Sequence, residues 1–397
     1  MVRNDLKVLV VHEIDYFGSP VFEFQEFSEA LQELGHEVIV LDLKEPPRKG
    51  ISRESGSTRG PRKARITSNT IDVHTPWLMI SKDAFRPIAV LVHFFALLRI
   101  FLFRKPDIVL SYSVPTSGPT VAVLGRLVGV PVVHRAIDVS HKLRPGLFDP
   151  IVKLAEILTF RLSSHISTHN KALADYVQTK GAKAGKLSIH YPPVDLNHFK
   201  TEGQRNLPPP TNIIFVGTLS HFSGLEHVLF AASEVGGERE WSLRIVGDGD
   251  ERESLEAYCS DLSLDQKVTF TGWKNYEDLG KELEWANVAI VPFPRDLLTD
   301  CALPQKTVQY MAAGLPVVST ALKGSVAEFG DLDGIYFVET PADVFEESFA
   351  ASIGMRPGGE PFASRFDKQN TIQEMVKYLE GLVASRRHAK NSPGTHD

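Results

Sequence analysis

The sequence contains little cysteine and no excess of positive charge. Of its 397 residues only two are cysteines, Cys259 and Cys301. They are too few and too far apart in sequence to indicate a disulfide framework or a metal site. The formal net charge of −6 gives the chain no general attraction for nucleic acid. A disulfide-stapled domain is therefore excluded, and no nucleic-acid partner is expected.

A secretory signal and a membrane-spanning helix are also absent from the pattern. Residues Met1–Asp5 are mostly polar and lead directly into a strand, which predicts a cytoplasmic protein. Ile88–Phe103 is apolar except for His93 and Arg99. It is shorter than the roughly twenty residues of a spanning helix, and its arginine would cost about 2.5–3.5 kcal/mol on insertion. An amphipathic helix would show a polar stripe, so this one is either buried on both sides or touches a membrane or partner protein.

The remaining composition is that of a globular protein of two domains. Apolar residues make up 43% of the chain and charged residues 23%, and the length exceeds that of one typical core. Strand and helix patterns alternate, which predicts open parallel sheets covered on both faces. The predicted strands are Lys7–Val11, Val38–Leu43, Ile108–Tyr112, Pro131–Arg135 and His165–His169 in the first half, and Ile213–Val216, Ser242–Val246, Val268–Phe270, Val288–Val291 and Val317–Thr320 in the second.

The segment Pro46–Ser68 departs from this alternation. Its prolines and glycines are expected to break any regular element, so we predict a loop. Two interpretations of its charge stay open, a solvated mobile loop or a surface for anionic lipid phosphates, since juxtamembrane basic residues gain about 1 kcal/mol each. Its basic residues are Arg48, Lys49, Arg53, Arg59, Arg62, Lys63 and Arg65.

The most informative segment is Ala302–Thr320. The pattern predicts a helix that begins at Pro304 and ends at Gly314, since proline suits the first turn and glycine the position after the last. The start of such a helix offers free N–H groups and a positive dipole end to an anion. Lys306 and Gln309 share one face of it and suit a diphosphate and a ribose. A solvated lysine on an ordinary helix is the alternative.

This segment resembles the nucleotide-sugar site of GT-B glycosyltransferases, particularly the group 1 or family 4 branch. The resemblance implies an α/β fold with two Rossmann-like parallel-sheet domains facing a cleft and a C-terminal helix that returns to the first domain. The family's usual glutamate is Gln309 here, and a Lys-x-x-Gln-Tyr arrangement also resembles GT-B glucuronosyltransferases. The residues that match the family pattern are Pro304, Lys306, Tyr310, Met311, Ala312, Gly314, Pro316, Val317 and Val318.

The resemblance covers almost the whole chain in order and implies its domain boundaries. The strand-loop-helix opening resembles the family's first domain, where the loop that holds Gly18 faces the cleft, on the acceptor side. Tyr191–Phe199 resembles the segment that ends this domain. The implied parts are an acceptor-binding domain 1–199, a linker 200–212, a nucleotide-sugar-binding domain 213–366, a returning helix 367–387 and a disordered tail 388–397.

The donor site implied by the resemblance departs from the family in its charges. In the family an arginine follows the glycine that corresponds to Gly217, a lysine precedes the next helix, and both bind the diphosphate. Thr218 and Ser223 occupy those positions here. Neutral hydrogen bonds are about half as strong as charge-assisted ones, so Lys306 must do most of the charge neutralisation.

Three further donor positions follow from the family pattern. Trp273 lies in the segment that flanks the nucleobase, although a core position is equally open. Of the family's two glutamates, the one at the donor sugar corresponds to Cys301, with Asp300 as the nearest acidic substitute, and the one at the ribose corresponds to Gln309. The donor-binding residues are thus predicted to be Gly217, Thr218, Ser223, Trp273, Asp300, Cys301, Pro304, Gln305, Lys306 and Gln309.

The candidate catalytic residues follow a strand of the first domain. There the family places a catalytic or donor-facing histidine or aspartate, and we expect Asp138 to be the base for the acceptor hydroxyl if the enzyme inverts, with His141 in reserve. A helix N-cap is the alternative role for Asp138. No Asp-x-Asp motif appears where a GT-A enzyme would need one, so no metal is expected, and retention or inversion stays open.

The function implied is a hexosyl-type glycosyltransferase that uses a nucleoside diphosphate sugar, expected to be UDP-linked, as co-substrate and needs no other cofactor. The acceptor is a glycan or a lipid-linked molecule, with a membrane surface as a further partner and a peripheral position at the inner face of the membrane. Two alternatives remain open: a sugar-nucleotide epimerase of GT-B shape, and a catalytically silent GT-B binding subunit.

Overall fold

The computed structural model describes residues 5–19, 21–43, 59–76, 86–143, 148–200, 210–237, 239–354, 362 and 365–391. Residues 46–58 of the predicted basic loop, residues 201–209 of the predicted linker and the last six residues lie outside the described residues. The chain forms two compact units, one of residues 1–193 with 371–397 and one of residues 194–370. Among the described residues, no helix combines the length and the apolar character needed to cross a bilayer.

The first unit is built on one eight-stranded sheet. Its strand order is β3-β4-β2-β1-β5-β6-β7-β8, in which β3 and β4 are antiparallel and the other neighbours are parallel. The central strands are almost fully apolar because both faces of the sheet are covered. The strands are β1 Lys7–Val11, β2 Glu37–Leu41, β3 Arg59–Lys63, β4 Thr70–His74, β5 Ile108–Ser111, β6 Val132–Arg135, β7 His165–Thr168 and β8 Leu187–Ile189.

Helices cover both faces of this sheet. Successive side chains of a strand point to opposite faces, so Val8 and Leu9 belong to two different cores. The Val8 side packs against α1 and α14, and the Leu9 side packs against α2 and α3. The helices are α1 Glu23–Glu33, α2 Arg86–Phe103, α3 Gly118–Val128, α4 Asp149–Leu162, α5 Lys171–Thr179 and α14 Lys368–Asn391, of which α14 belongs to this unit from Thr371 onward.

The second unit is built on a six-stranded parallel sheet with the order β11-β10-β9-β12-β13-β14. Its strands are β9 Thr211–Val216, β10 Trp241–Val246, β11 Val268–Gly272, β12 Val288–Val291, β13 Val317–Thr320 and β14 Ile335–Val338. Its helices are α6 Leu196–Phe199, α7 Leu225–Val235, α8 Arg252–Asp261, α9 Leu279–Glu284, α10 Leu297–Asp300, α11 Gln305–Ala312, α12 Lys323–Phe329 and α13 Asp343–Ser352. The predicted class, α/β with two parallel-sheet units, is confirmed.

Part of the predicted basic loop is a strand, and the loop prediction is wrong for Arg59–Lys63. These residues pair antiparallel with β4, with Pro61 opposite Asp72. Proline is tolerated because β3 lies at the edge of the sheet, where the missing N–H faces no neighbouring strand. The strands β4, β8 and β14 were not predicted.

Two basic residues near the end of the predicted loop, Arg62 and Arg65, do not form a common solvated patch. The Arg65 guanidinium donates hydrogen bonds to the carbonyls of Tyr16 and Ser19, at 3.0 and 2.6 Å, and so holds the loop after β1. The Arg62 guanidinium lies 4.0 Å from the centre of the Phe17 ring. Arg65 and Arg62 are thus engaged in the first unit's own packing.

The units divide the chain at residues other than those predicted. Val194 forms a bridge with Asp367, and the His198 ring lies 3.0 Å from the Tyr276 carbonyl oxygen, so residues 194–199 belong with the second unit. The end of the predicted linker, Thr211 and Asn212, is already part of β9. Helix α14 continues to Asn391, which places the first residues of the predicted disordered tail in a helix.

Helix α2 is buried on one side only. Leu97, Ile100 and Phe101 pack in the core, and the His93 ring lies 3.1 Å from the Asp42 carbonyl oxygen. Leu91, Phe95 and other large apolar side chains of the helix are exposed. Of the two interpretations of this helix, burial on both sides is therefore wrong.

Candidate functional site

The strand order of the second sheet reverses direction between the neighbouring strands β9 and β12. In open parallel sheets, ligands bind beside the carboxyl ends of the strands at such a reversal. The loop 217–224 follows β9, and α11 lies in the connection from β12 to β13, so its first turn is at the same edge of the sheet. Tyr310 fixes α11 to β9, because its buried hydroxyl oxygen accepts a 2.7 Å hydrogen bond from the Val216 N–H.

The turn after β9 requires glycine. Gly217 has a φ of 150°, and a Cβ on it would lie 2.5 Å from the Lys306 ammonium nitrogen. Its N–H donates to the Val246 carbonyl. Gly247 has a φ of 146°, and its N–H likewise donates a hydrogen bond to the Gly272 carbonyl. The ends of β9, β10 and β11 are thereby joined into one edge, with Lys306 directly against Gly217.

Lys306 is the central cation of this edge. Its ammonium nitrogen lies 4.0 Å from the centre of the Phe215 ring and 4.8 Å from that of Phe293. Within the described part of the chain, no carboxylate forms an ion pair with it. Burial among these groups lowers the pKa of Lys306 to about 7. An unpaired, desolvated amine is a group that gains from a bound anion.

The loop after Gly217 offers hydroxyl groups instead of cations. Thr218 is exposed, and Ser223 is buried. The hydroxyl oxygens of Ser220 and Ser223 are buried and have no hydrogen-bond partner among the described residues. Buried polar groups are normally satisfied, so two unpartnered hydroxyls in the loop that begins at Gly217 are available to a polar ligand at this edge.

Helix α11 has the ends that the sequence predicts. Pro304 is its N-cap, and Gly314 follows the last turn with a φ of 71°. Gln305 is the first helical residue, and Gln309 lies one turn later. Both glutamines are half-buried, and the Gln309 amide forms no hydrogen bond within the described structure, which leaves it available to a ligand hydroxyl.

Asp300 is already engaged by another residue. Its carboxylate accepts a 3.1 Å hydrogen bond from the Lys323 N–H and lies 3.0 Å from the Lys323 ammonium nitrogen. This ion pair competes with the donor-sugar contact predicted for Asp300. Cys301 is buried next to it at the end of α10.

Trp273 follows β11 and is 40% exposed. The alternative of a core tryptophan is therefore wrong, and a role at a nucleobase stays a prediction. The preceding Gly272 has a φ of 74°, which turns the chain sharply at the end of the strand.

The first sheet has a corresponding reversal between β1 and β5. Gly18 lies in the loop after β1, where its N–H donates a 2.8 Å hydrogen bond to the Asp15 carboxylate. The carboxylate of Glu13, in the same loop, accepts hydrogen bonds from the Ser113 hydroxyl and the Thr116 N–H after β5. The structure thus brings Gly18 to the carboxyl edge of the sheet.

Asp138 follows β6 at this edge. Burial, with the charge of Glu23 as a smaller cause, raises the pKa of Asp138 to about 7. The turn of 3-10 helix at Ser140–Lys142 has Val139 and not Asp138 as its N-cap. The capping alternative is therefore wrong, and the role of Asp138 as a base stays a prediction.

His141 belongs to a buried cluster that sequence reasoning missed. Its Nδ1 lies 2.8 Å from a carboxylate oxygen of Glu156 on α4, and Glu156 also accepts a 2.9 Å hydrogen bond from the Tyr176 hydroxyl. The Ser140 N–H donates to the other carboxylate oxygen. With Nδ1 donating to Glu156, Nε2 is left as the available ring nitrogen. The positions of His141, Glu156 and Tyr176 in the sequence give no indication that their side chains are in contact.

Sequence reasoning also missed the aromatic residues around Lys306. Phe215 is the last but one residue of β9 and Phe293 follows β12, so both rings reach Lys306 only because β9 and β12 are neighbours. The family pattern used for the donor site consists mainly of charged and polar positions, so it does not point to these two phenylalanines. No group of three or more histidine, cysteine, aspartate or glutamate side chains suited to a metal ion occurs among the described residues.

Comparison with known proteins assigns both halves of the chain to a class of transferase. The family described as glycosyl transferase 4-like domain matches residues 21–193, and that described as glycosyl transferases group 1 matches residues 210–354. Together with two parallel-sheet units, these matches define a GT-B glycosyltransferase fold. The chain belongs to the group 1, family 4-like glycosyltransferases.

Individual relatives agree with this assignment at low identity. Lipopolysaccharide 1,6-galactosyltransferase from Salmonella typhimurium is 27% identical over 179 residues, which are 42% of this chain and 45% of that protein. The curated relatives align over about a quarter to a half of their own lengths.

Solved structures resemble nearly the whole chain. Sucrose-phosphate synthase from Thermosynechococcus elongatus has a TM-score of 0.75 at 16% identity and covers 95% of this chain and 99% of its own. Anabaena HepE in complex with UDP and glucose has a TM-score of 0.68 at 15% identity and covers 94% of this chain and 99% of its own. At these identities the likeness concerns the fold.

Proposed function

We propose that the protein transfers a hexose-type unit from a UDP-linked sugar to a glycan or lipid-linked acceptor. The observation that carries this is Lys306, a desolvated ammonium beside Gly217 at the strand reversal of the second unit, with no carboxylate partner among the described residues. A diphosphate supplies the negative charge that this group lacks.

The other donor contacts follow from the same edge. The Ser220 and Ser223 hydroxyls and the first N–H groups of α11 suit phosphate oxygens, and the Gln309 amide suits ribose hydroxyls. A structural neighbour was solved with UDP and glucose, which supports a UDP-linked donor. Lys306 and the positive end of α11 would stabilise the leaving diphosphate, so we propose a reaction that needs neither metal nor cofactor.

The acceptor would be activated by the first unit. Asp138, with its pKa near 7, is the proposed base for an inverting transfer, and His141 is the reserve base. In the reserve role the Glu156 carboxylate would hold the imidazole with Nε2 toward the acceptor. A relative named for lipopolysaccharide supports a glycan or glycolipid acceptor, and hence a place at the cytoplasmic surface of a membrane.

The donor site is tested by replacing its cation. Lys306→Ala is expected to weaken UDP binding by roughly ten- to a hundredfold, because a hydrogen bond to a charged group contributes about 1.5–3 kcal/mol. Binding of uridine should change little, as measured by calorimetry. Lys267→Ala is the matched control, since that lysine also lies over an aromatic ring, Trp241, at 5.0 Å. Equal weakening of UDP and uridine would contradict a phosphate role.

A second function, sugar-nucleotide binding without transfer, is favoured by the Asp300–Lys323 ion pair, which occupies the nearest acidic substitute for the family's sugar-contacting glutamate. Purified protein incubated with a panel of UDP-sugars separates the two functions. Release of UDP, by transfer or by slow hydrolysis, supports the transferase. Tight UDP-sugar binding with no release under any acceptor condition supports the silent subunit.

A further inference from the structure

Helices α2, α3 and α4 form a continuous layer on one face of the first unit, because α2 packs against α3 and α3 against α4. The chain exposes twenty-two large apolar side chains among its described residues, and twelve of them lie on these three helices or directly before α4. We call the outward side of α2, α3 and α4 the three-helix surface. Scattered exposed apolar residues are ordinary, but such a concentration marks an interaction site.

The α2 part of this surface is a stripe and not a set of isolated residues. Ile88, Leu91, Phe95 and Leu102 recur at intervals of three, four and seven, which places them on one side of a helix. Phe95 is 60% exposed and Phe103 is 74% exposed. The opposite side of α2 is in the core, so this second apolar side has no function in folding.

Helices α4 and α3 extend the stripe. Phe148, Ile151, Leu154 and Leu158 recur at intervals of three and four along α4, and Ile151 is 65% exposed. On α3, which lies between α2 and α4, Leu127 is 78% exposed. The three-helix surface is therefore broad and apolar across several helices.

The charges of this surface have one sign. The exposed charged side chains of the three helices are Arg99, Arg126, Lys153 and Arg161. The two carboxylates of the same helices are not fully exposed. Glu156 is buried against His141, and Asp149 is half-buried in the first turn of α4. Apolar stripes whose fully exposed charged neighbours are all cations are complementary to a bilayer surface, where anionic phosphates lie above hydrocarbon.

From these observations we infer that the three-helix surface docks the protein on an anionic phospholipid bilayer. The apolar stripes of α2 and α4 lie at the acyl boundary, and the long exposed side chains of Arg99 and Lys153 reach the lipid phosphates. A second copy of the chain is a poorer occupant, since two-fold pairing through this surface would bring like charges together. The inference rests on the proposed function only in explaining why the enzyme would meet a lipid-linked acceptor there.

The test is binding of the full chain to vesicles without donor or acceptor. Flotation should recover the protein with vesicles of phosphatidylcholine containing phosphatidylglycerol, and much less with phosphatidylcholine alone. Phe95→Gln combined with Ile151→Gln should weaken the binding by about tenfold or more, because two large side chains no longer enter the bilayer. Val235→Gln combined with Ile353→Gln, exposed residues of the second unit, is the matched control and should bind as wild type does.

The charges are tested separately. Arg99→Gln combined with Lys153→Gln should lower binding to anionic vesicles by roughly thirtyfold, since each surface cation contributes about fivefold, and should flatten its dependence on salt. Absence of wild-type binding to anionic vesicles would overturn the inference. So would unchanged binding by the Phe95/Ile151 variant, or a change in oligomeric state with unchanged vesicle binding. UDP release with a water-soluble acceptor is measured in parallel, so failure of docking is distinguishable from failure of the proposed function.

Discussion

The Glu156 cluster of the first unit and the Lys306 cluster of the second differ in how their polar groups are satisfied. In the first unit, Glu156 holds His141, Ser140 and Tyr176 in a closed network of hydrogen bonds. In the second unit, Lys306 lies against two aromatic rings, and the buried hydroxyls of Ser220 and Ser223 have no hydrogen-bond partner among the described residues. A closed network holds reactive groups in position, whereas an incomplete one gains stability from a ligand. The difference supports the proposal that the second edge binds the anion, while the first holds His141, the reserve base, in position.

The largest effect is expected from the first edge. Asp138→Asn should preserve UDP affinity and lower turnover by about 10²–10⁴-fold, the usual contribution of a positioned base. The amide keeps the shape of the carboxylate but cannot accept a proton. Because the pKa of Asp138 is raised to about 7 and the base acts deprotonated, wild-type kcat at saturating donor, where the bound diphosphate keeps Lys306 charged, should rise with pH up to about 7 and level off above it.

A steady-state assay of UDP release checks this, with His141→Gln measured alongside. A folded Asp138→Asn variant with near-wild-type turnover would remove Asp138 as the base. It would leave His141, or a retaining reaction in which the leaving phosphate takes the proton.

A smaller effect is expected from closing the space beside Lys306. Gly217→Ala should weaken UDP binding by roughly ten- to a hundredfold, since the new Cβ would displace the ammonium group and the backbone conformation would cost about 1–3 kcal/mol. Gly280→Ala is the control, because its Cβ would meet its nearest atom at 3.6 Å. Calorimetric affinities that agree for Gly217→Ala and wild type would show that the turn does not position Lys306.

The smallest expected effect is an increase in the affinity for UDP. Thr218 is exposed and stands where the family has arginine, so Thr218→Arg should add a second cation to the donor edge. UDP binding should tighten by about tenfold, within the range of a charge-assisted hydrogen bond. Thr218→Gln, which adds length without charge, should leave the affinity near that of wild type. Equal affinities for the arginine variant and wild type would mean that the diphosphate does not approach this loop.

The parts of the fold with strong local signals could be predicted from sequence. Helix α11 was expected because Pro304 and Gly314 mark its ends by their backbone preferences alone. Strand β3 was not expected, since Pro61 normally argues against a strand and only its edge position makes it acceptable.

The candidate site shows the same limit. Lys306 was predicted from its place in a helix, but its aromatic neighbours Phe215 and Phe293 come from two strands that meet only in the folded sheet. Glu156 likewise reaches His141 from a separate helix. Contacts between distant segments depend on strand order, which periodicity does not reveal.

The central claim is that Lys306 is the cation that meets the diphosphate, and proton uptake tests it most directly. In the free protein its pKa is lowered to about 7, so at pH 8 most molecules carry a neutral amine. The terminal phosphate of UDP has a pKa of about 6 and is therefore doubly negative at pH 8. Bound next to Lys306, it should raise the pKa of the lysine again, so that the complex takes up about one proton.

Calorimetry of UDP binding at pH 8, in two buffers of different ionisation enthalpy, measures that number. The account predicts uptake of about one proton by the wild type and none by Lys306→Met. Binding without proton uptake in the wild type, or the same uptake in the variant, would contradict it.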